Sequence, residues 1–324
     1  GDKRPWCLTV SFTHPHDPYV ARRKFWDLYE GCPELEPRVA AVPFEEQDAH
    51  SQRLYLANDY KNFDISAEDI RRSRQAYFAN ISYLDDKIAT LLDTLKRCRM
   101  DEDTVVVFCS DHGDMLGERG LWFKMSFFEG SARVPMMIAG PGIEGRTVTT
   151  PVSTIDITPT LADIAGVDLS EVAPWTDGES LKPLIEGGER TSPVLIEYAA
   201  EGSYAPLISI RRGRFKFNHC ELDPPQLFDI EADPDELTNL ATDPAQAETL
   251  AAFEEEMRER WDMAQFDREV RDSQARRWVV YEALRNGSYY PWDFQPLQKA
   301  SERYMRNHMD LNTLEEAARF PRGE

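Results

Sequence analysis

The chain has 324 residues, 41% of them apolar, and a formal net charge of −21. That acidity excludes a general nucleic-acid or anionic-membrane binder, and no apolar run reaches bilayer-spanning length. An anionic ligand must therefore be met by locally concentrated positive charge, whereas a cationic group is favoured by the field of the whole chain.

The five cysteines (Cys7, Cys32, Cys98, Cys109, Cys220) are odd in number and show no paired spacing. Cys7 and Cys109 fall inside apparent core strands. This predicts a reducing compartment, the cytoplasm, rather than a disulfide scaffold. Gly1 leads almost directly into a strand-like run, an unusual opening for a whole α/β protein, so a fragment or a processed chain is expected.

Trp6 to Thr13 reads as a strand that delivers His14-Pro15-His16-Asp17-Pro18-Tyr19, a turn stiffened by proline. It presents two histidines just past a strand terminus; a surface turn with solvated histidines fits the hexapeptide equally. Residues 20 to 64 are polar, have no sustained period and read as a long excursion near the site. Ser66-Ala-Glu-Asp69 looks like a helix start. Ile70, Tyr77, Ile81, Leu84, Ile88, Leu91 and Leu95 then repeat at helical spacing, which predicts one amphipathic helix over 67–98.

Val105 to Cys109 is a short apolar, β-branched run, the pattern of a parallel strand covered on both faces. It stops at Ser110-Asp111-His112-Gly113, with Gly113 letting the backbone turn away. Asp111 and His112 are possible metal ligands at a strand end, where open α/β sheets place their sites. Lys124, flanked by Trp122, Phe123 and Phe127, is a candidate for anion binding. The structural alternatives are a core histidine under the turn and a surface lysine whose stem lies on Trp122. Glu129 and Arg133, four apart, read as a structural ion pair. Val134 to Ala139 reads as another buried strand. Asp156-Ile-Thr-Pro159 opens a capped helix with Leu161, Ile164 and Ala165 as its core face and Gly166 as its stop. Asp156 reads as a cap rather than a ligand.

After a connector over 167–190, Pro193 to Tyr198 reads as a strand, and Glu201 follows in a small-residue loop. Leu207–Arg211 and Arg214–Asn218 alternate around Arg212-Gly213 as a hairpin, and Gln226 to Ile230 adds a third strand. A helix opens at Asp243-Pro244 with Leu250, Phe253, Met257 and Trp261 on one face, and a second runs to Arg285. Residues 288–324 are aromatic but irregular, and such a tail needs another surface for its rings; packing on its own subunit and crossing to a partner both satisfy that need. The expected division is 1–190, 191–287 and 288–324.

Taken together, these motifs resemble the later half of a sulfatase of the alkaline-phosphatase superfamily. Pro15-His16-Asp17-Pro18 is similar to that family's Pro-His-x-Pro turn. Ser110 to Lys124, with Glu129 and Arg133-Val-Pro135, is similar to its metal-and-lysine segment. Asp156 to Gly166 is similar to its late helix, and Leu227 to Ala241 to the strand and turn closing its small subdomain. Within the family, His14-Pro-His16, Glu197 to Glu201 and the tail from Tyr290 to Pro321 resemble the branch acting on choline O-sulfate.

The resemblance implies an α/β fold: the later part of an alkaline-phosphatase-like sheet sandwiched by helices, then a small antiparallel β subdomain, then an extended C-terminal tail. It implies sulfate ester hydrolysis, choline O-sulfate first among substrates. Asp111 and His112 would ligate a divalent metal, usually calcium, with manganese or magnesium open. Lys124 would hold a sulfate oxygen, and His16, or in second place His14, would protonate the leaving oxygen. For the quaternary ammonium, which demands aromatic faces and carboxylates, the chain offers Glu201, Trp292 and Asp310. The tail would join a homo-oligomer, a dimer or tetramer. The family's nucleophile is a formylglycine made from cysteine in Cys-x-Pro/Ala-x-Arg. No cysteine here has that context, and Cys32-Pro-Glu-Leu-Glu36 lacks the arginine. The nucleophile and two early aspartates would precede Gly1. A phosphonate or phosphate ester hydrolase of the same superfamily, and an inactive truncated module, remain the alternatives.

Overall fold

The structure, a computed structural model, describes residues 5–285. In chain order its elements are helices α1 (Arg23–Trp26), α2 (Ala49–Ala57) and α3 (Ala67–Cys98), strand β1 (Val106–Cys109), helix α4 (Glu129–Ala132), strand β2 (Met136–Ala139), and helices α5 (Ile157–Ile164), α6 (Leu169–Val172) and α7 (Lys182–Ile185). Strands β3 (Val194–Tyr198), β4 (Leu207–Arg212), β5 (Phe215–Cys220) and β6 (Gln226–Asp229) follow, and helices α8 (Ala247–Arg260) and α9 (Met263–Arg285) close the described chain. The tail, with Trp292 and Asp310, lies outside the described residues.

The chain separates into two units. The first takes residues up to Pro37 and Asn62–Glu102; the second takes Arg38–Lys61 and the chain from Asp103. In the first, α3 spans the residues predicted for it. Ser66 and Asp69 form a reciprocal capping box at its start, and Arg99, at φ 57°, ends it. Tyr29 hydrogen-bonds Ser82, and Gln75 donates to the Trp26 carbonyl, so α3 braces the turns around α1.

Two strand expectations fail. Residues 5–13 form no strand, and Trp6, Leu8, Val10 and Phe12 are all exposed, as is Cys7. Alternation alone does not make a strand: its N–H and C=O groups need a partner backbone, and none of the described residues provides one. The Val105–Cys109 run does form a strand, but it pairs antiparallel with β2, Val106 opposite Ala139 and Cys109 opposite Met136. It is only half-buried, and Cys109 is exposed. An apolar run cannot by itself distinguish a covered parallel strand from a partly covered antiparallel one.

The four-stranded antiparallel sheet β3-β4-β5-β6 in the second unit follows the predicted strands. Its β4 is buried over four consecutive residues because both faces are covered. Ile208, Ile210, Phe217 and Leu227 pack with Phe253 and Met257 of α8 and with Met263, and the Phe217 and Phe253 rings stack at 5.8 Å. On the other side Phe228 and Ile230 join Met115, Leu121 and Phe128, while Leu207 and Cys220 meet Phe127. The sheet therefore backs the segment that carries Lys124.

Two side chains take partners the sequence did not suggest. Glu129 pairs with Lys216 of β5 at 3.0 Å rather than with Arg133; α4 ends at Ala132, so the assumed helical i,i+4 face is absent. Asp156 is fully buried and completes a capping box with Ser153, accepts from Glu179 N–H at 2.9 Å and pairs with Arg190. Around it the buried face of α5 is Pro159 and Thr160, not Ile164 and Ala165; the Thr160 hydroxyl donates to the Asp156 carbonyl at 2.6 Å and accepts from Leu181 N–H at 2.8 Å, which turns that face toward the segment before α7. Gly166, at φ 70°, ends that helix as expected.

Candidate active site

Strand β1 ends at Cys109 and hands the chain to Ser110-Asp111-His112. Asp111 Oδ1 accepts the His112 N–H at 2.9 Å, which folds the carboxylate back over the turn. The Ser110 hydroxyl donates to the His112 carbonyl at 2.8 Å. His112 Nδ1 lies 2.7 Å from the Gly113 carbonyl oxygen. A carbonyl only accepts, so Nδ1 carries a proton. The ring's Nε2 stands 3.6 Å from Asp111 Oδ2.

Gly113 serves this turn differently from the expectation. Its φ is not positive; a Cβ there would stand 2.2 Å from the Gly130 carbonyl oxygen, and its N–H donates to Ser131 O at 2.7 Å. Close approach to α4, not a left-handed turn, requires glycine. The Asp111 carboxyl is held below its ordinary value: partial burial pushes it up, but the His112 ring and the backbone N–H donors outweigh that.

The chain then runs through a tight turn to Lys124. Asp114 Oδ1 accepts from Leu116 and Phe123 N–H at 2.9 and 3.0 Å. Lys124's sequence neighbours Trp122 and Phe127 are buried.

The His14–Tyr19 turn belongs to the first unit, where His14–Pro15 and Asp17–Pro18 are both cis. His14 packs on Tyr83 with ring centres 5.0 Å apart. Burial, then Arg22, holds its pKa below the ordinary histidine value, so the ring is neutral near pH 7 and a poor proton donor. His16 Nδ1 donates to the Asp17 carbonyl at 2.8 Å and stands 3.0 Å from its carboxylate, which orients the ring.

Glu201 lies exposed in the turn after β3, where the Tyr198 hydroxyl donates to its carbonyl at 2.9 Å and approaches its Oε2 at 3.3 Å. The structure thus brings Asp111 and His112 together and places Lys124 and Glu201 on separate segments of the same unit. Both segments touch α2, an element the sequence reading passed over. His50 of α2 reaches the Met125 carbonyl at 2.7 Å, and Arg53 reaches the Gly202 carbonyl at 3.0 Å. The signal was present: Asp48 caps α2 by accepting from His50 and Ser51 N–H, and His50 and Leu54 are buried four residues apart.

Comparison with known proteins bears on this geometry. The family model described as Sulfatase matches residues 1–167, more than half of the chain. The chain belongs to the sulfatase family. A model described as the N-sulphoglucosamine sulphohydrolase C-terminal region matches residues 117–262, and one described as the choline sulfatase C terminus matches 268–320. A choline-sulfatase of Rhizobium meliloti is 69% identical over 325 residues, covering 99% of this chain and 64% of that protein. A phosphonate monoester hydrolase of Agrobacterium radiobacter superposes at a TM-score of 0.66 with 28% identity, covering 79% of this chain and 56% of that one. A sulfatase-like protein of Bacteroides thetaiotaomicron does so at 0.58 with 25% identity, over 69% and 51%. This sulfatase chain therefore spans less than two thirds of these relatives. Its fold is α/β and alkaline-phosphatase-like, as the motifs implied.

Proposed function

We propose that the full-length protein hydrolyses a sulfate ester, choline O-sulfate first, to choline and sulfate. The observation that carries this is the 69% identity to a choline-sulfatase over 99% of the chain. The site residues take these roles: Lys124 stabilises charge developing on the sulfuryl oxygens, His16 protonates the leaving oxygen, and Glu201 faces the ammonium together with Trp292 and Asp310. His14 ranks behind His16 because its burial keeps it neutral.

Asp111 and His112 fit a divalent metal, with calcium ahead of manganese or magnesium. Their 3.6 Å separation is less than the sum of two metal–ligand bonds of about 2.1–2.5 Å, and the hydrogen bond from His112 Nδ1 to the Gly113 carbonyl orients the ring. Among the described residues no group of three or more potential ligands occurs; the two early aspartates and the formylglycine would come from the remaining length of the relatives. When bound, the metal supplies Lewis-acid stabilisation of a sulfuryl oxygen. Asp111→Asn in the full-length protein removes the charged ligand. Bound metal, measured by elemental analysis, and activity are expected to fall together, with partial recovery of both in excess calcium. Unchanged metal content and rate would remove Asp111 from the site.

A second reading, phosphonate monoester hydrolysis, is favoured by the Agrobacterium neighbour. The match of residues 268–320 to the choline sulfatase C terminus weighs against it. We further propose a cytoplasmic homo-oligomer in which the 288–324 tail closes the choline pocket of a partner subunit.

One experiment tests these points. Full-length protein is assayed for sulfate release from choline O-sulfate and a neutral aryl sulfate, and for cleavage of a phosphonate monoester, with and without residues 288–324. The expected result is a preference for choline O-sulfate, with truncation raising its KM and weakening the oligomer while affecting the aryl ester much less. A preference for the phosphonate would install the second reading.

A further inference from the structure

Lys124 sits on a segment held one carbonyl at a time. Trp122 O accepts from the Tyr60 hydroxyl at 3.2 Å, and Phe123 O accepts from Met115 N–H at 2.8 Å. Lys124 O accepts from Ser126 N–H at 2.6 Å and from the Ser131 hydroxyl. Met125 O takes its hydrogen bond from His50 Nε2 at 2.7 Å. Within this run Phe123 has φ 64°, a left-handed conformation that a bulky residue adopts only where its surroundings over-determine it. Two of the donors on either side of it, Tyr60 and His50, come from the stretch around α2.

His50 has the features of a dedicated donor. It is 7% exposed. Because the Met125 oxygen only accepts, Nε2 carries the proton and Nδ1 is left as a lone pair. That Nδ1 is buried without a hydrogen-bond partner, beside a cavity of about 250 Å³ that His50 and Ser126 help to line. Burial holds the His50 pKa below its ordinary value, outweighing the opposing effect of the Met125 hydrogen bond, so the ring stays neutral. Its rotation is fixed by edge-on packing against Tyr198 at 5.7 Å.

We propose that His50 is a positioning residue for Lys124: its Nε2–H fixes the Met125 carbonyl, and so the backbone from which the lysine reaches the sulfuryl group. This rests on the reading that Lys124 stabilises sulfuryl charge. In the full-length enzyme, His50→Phe keeps an aromatic ring against Tyr198 and removes the donor, while His50→Gln places an amide N–H within reach of the same carbonyl. The expected result is a kcat about 10- to 100-fold lower in His50→Phe, with KM changed less than about twofold and bound metal unchanged. His50→Gln recovers most of the loss. Lys124→Ala is measured alongside.

A loss in Lys124→Ala with wild-type kcat in His50→Phe overturns the positioning role, as do equal losses in His50→Phe and His50→Gln. Wild-type kcat in Lys124→Ala instead overturns the reading beneath it. If His50→Phe does not fold, His50→Gln is compared with His50→Asn, whose shorter amide cannot reach the carbonyl. An active Gln variant and an impaired Asn variant support the role; equal rates overturn it.

Discussion

Replacing Lys124 by alanine in the full-length enzyme is expected to lower kcat for choline O-sulfate about 10²–10³-fold, the range for removing one preorganised donor from a developing anion. The chain carries a net charge of −21, so a sulfate ester is not drawn in by the general field and depends on local cations. Lys124 is a local cation in a segment whose neighbours Trp122 and Phe127 are buried. Charge on the sulfuryl oxygens is present in the ground state and shifts as the ester bond breaks, so kcat should fall more than KM rises. Lys124→Arg should not restore the rate, because a planar guanidinium cannot occupy the place of a compact ammonium on a clamped backbone. Steady-state kinetics with an alkyl and an aryl sulfate check this. A Lys124→Ala enzyme within about threefold of wild type would take the lysine out of the charge-stabilising role.

How far the sequence reached can be seen residue by residue. Helix α3 and the strands of the small sheet were legible because their signals are local: a capping box at Ser66 and Asp69, and alternation around Arg212-Gly213. Asp111, His112 and Lys124 stand out in the sequence because the segment that carries them resembles the family's metal-and-lysine segment. What failed was non-local. Trp6–Phe12 alternates like a strand, yet pairing depends on a neighbour that its own residues do not encode. Glu129 was matched to Arg133 by spacing, while the structure gives it Lys216, 87 residues away. The role of α2 was hidden for the same reason. His50 and Arg53 act through carbonyls at Met125 and Gly202, and a carbonyl leaves no trace in the residue type that bears it. Asp156 was correctly read as structural, but its burial against Arg190 could not be inferred from its cap.

The largest stability effect is expected at Lys216, which is 2% exposed in β5. Its ammonium donates to the Phe127 carbonyl at 2.6 Å and to Glu129 at 3.0 Å, and stands 2.6 Å from Glu236, itself 2% exposed. Glu236 in turn accepts from Glu129 N–H at 2.7 Å. One cation thus compensates two carboxylates and ties the sheet to the start of α4. Lys216→Met keeps the length and the packing but leaves Glu236 buried without its counter-charge, which costs about 3–5 kcal/mol. The pH dependence has a definite sign. Burial raises the Glu236 pKa above its ordinary value, Lys216 opposes that rise without cancelling it, and removing the lysine raises it further. Between the unfolded and folded pKa values the native state then binds more protons than the unfolded state, so stability falls as pH rises through that window. The Lys216→Met deficit should therefore be largest at neutral pH and shrink as acid protonates Glu236. Adding Glu236→Gln should recover part of the loss at neutral pH, since an amide needs no counter-ion. Denaturant unfolding of the full-length variants at several pH values measures both effects. A Lys216→Met deficit that is small at neutral pH, or that grows on acidification, would mean that Glu236 does not depend on this lysine for its charge.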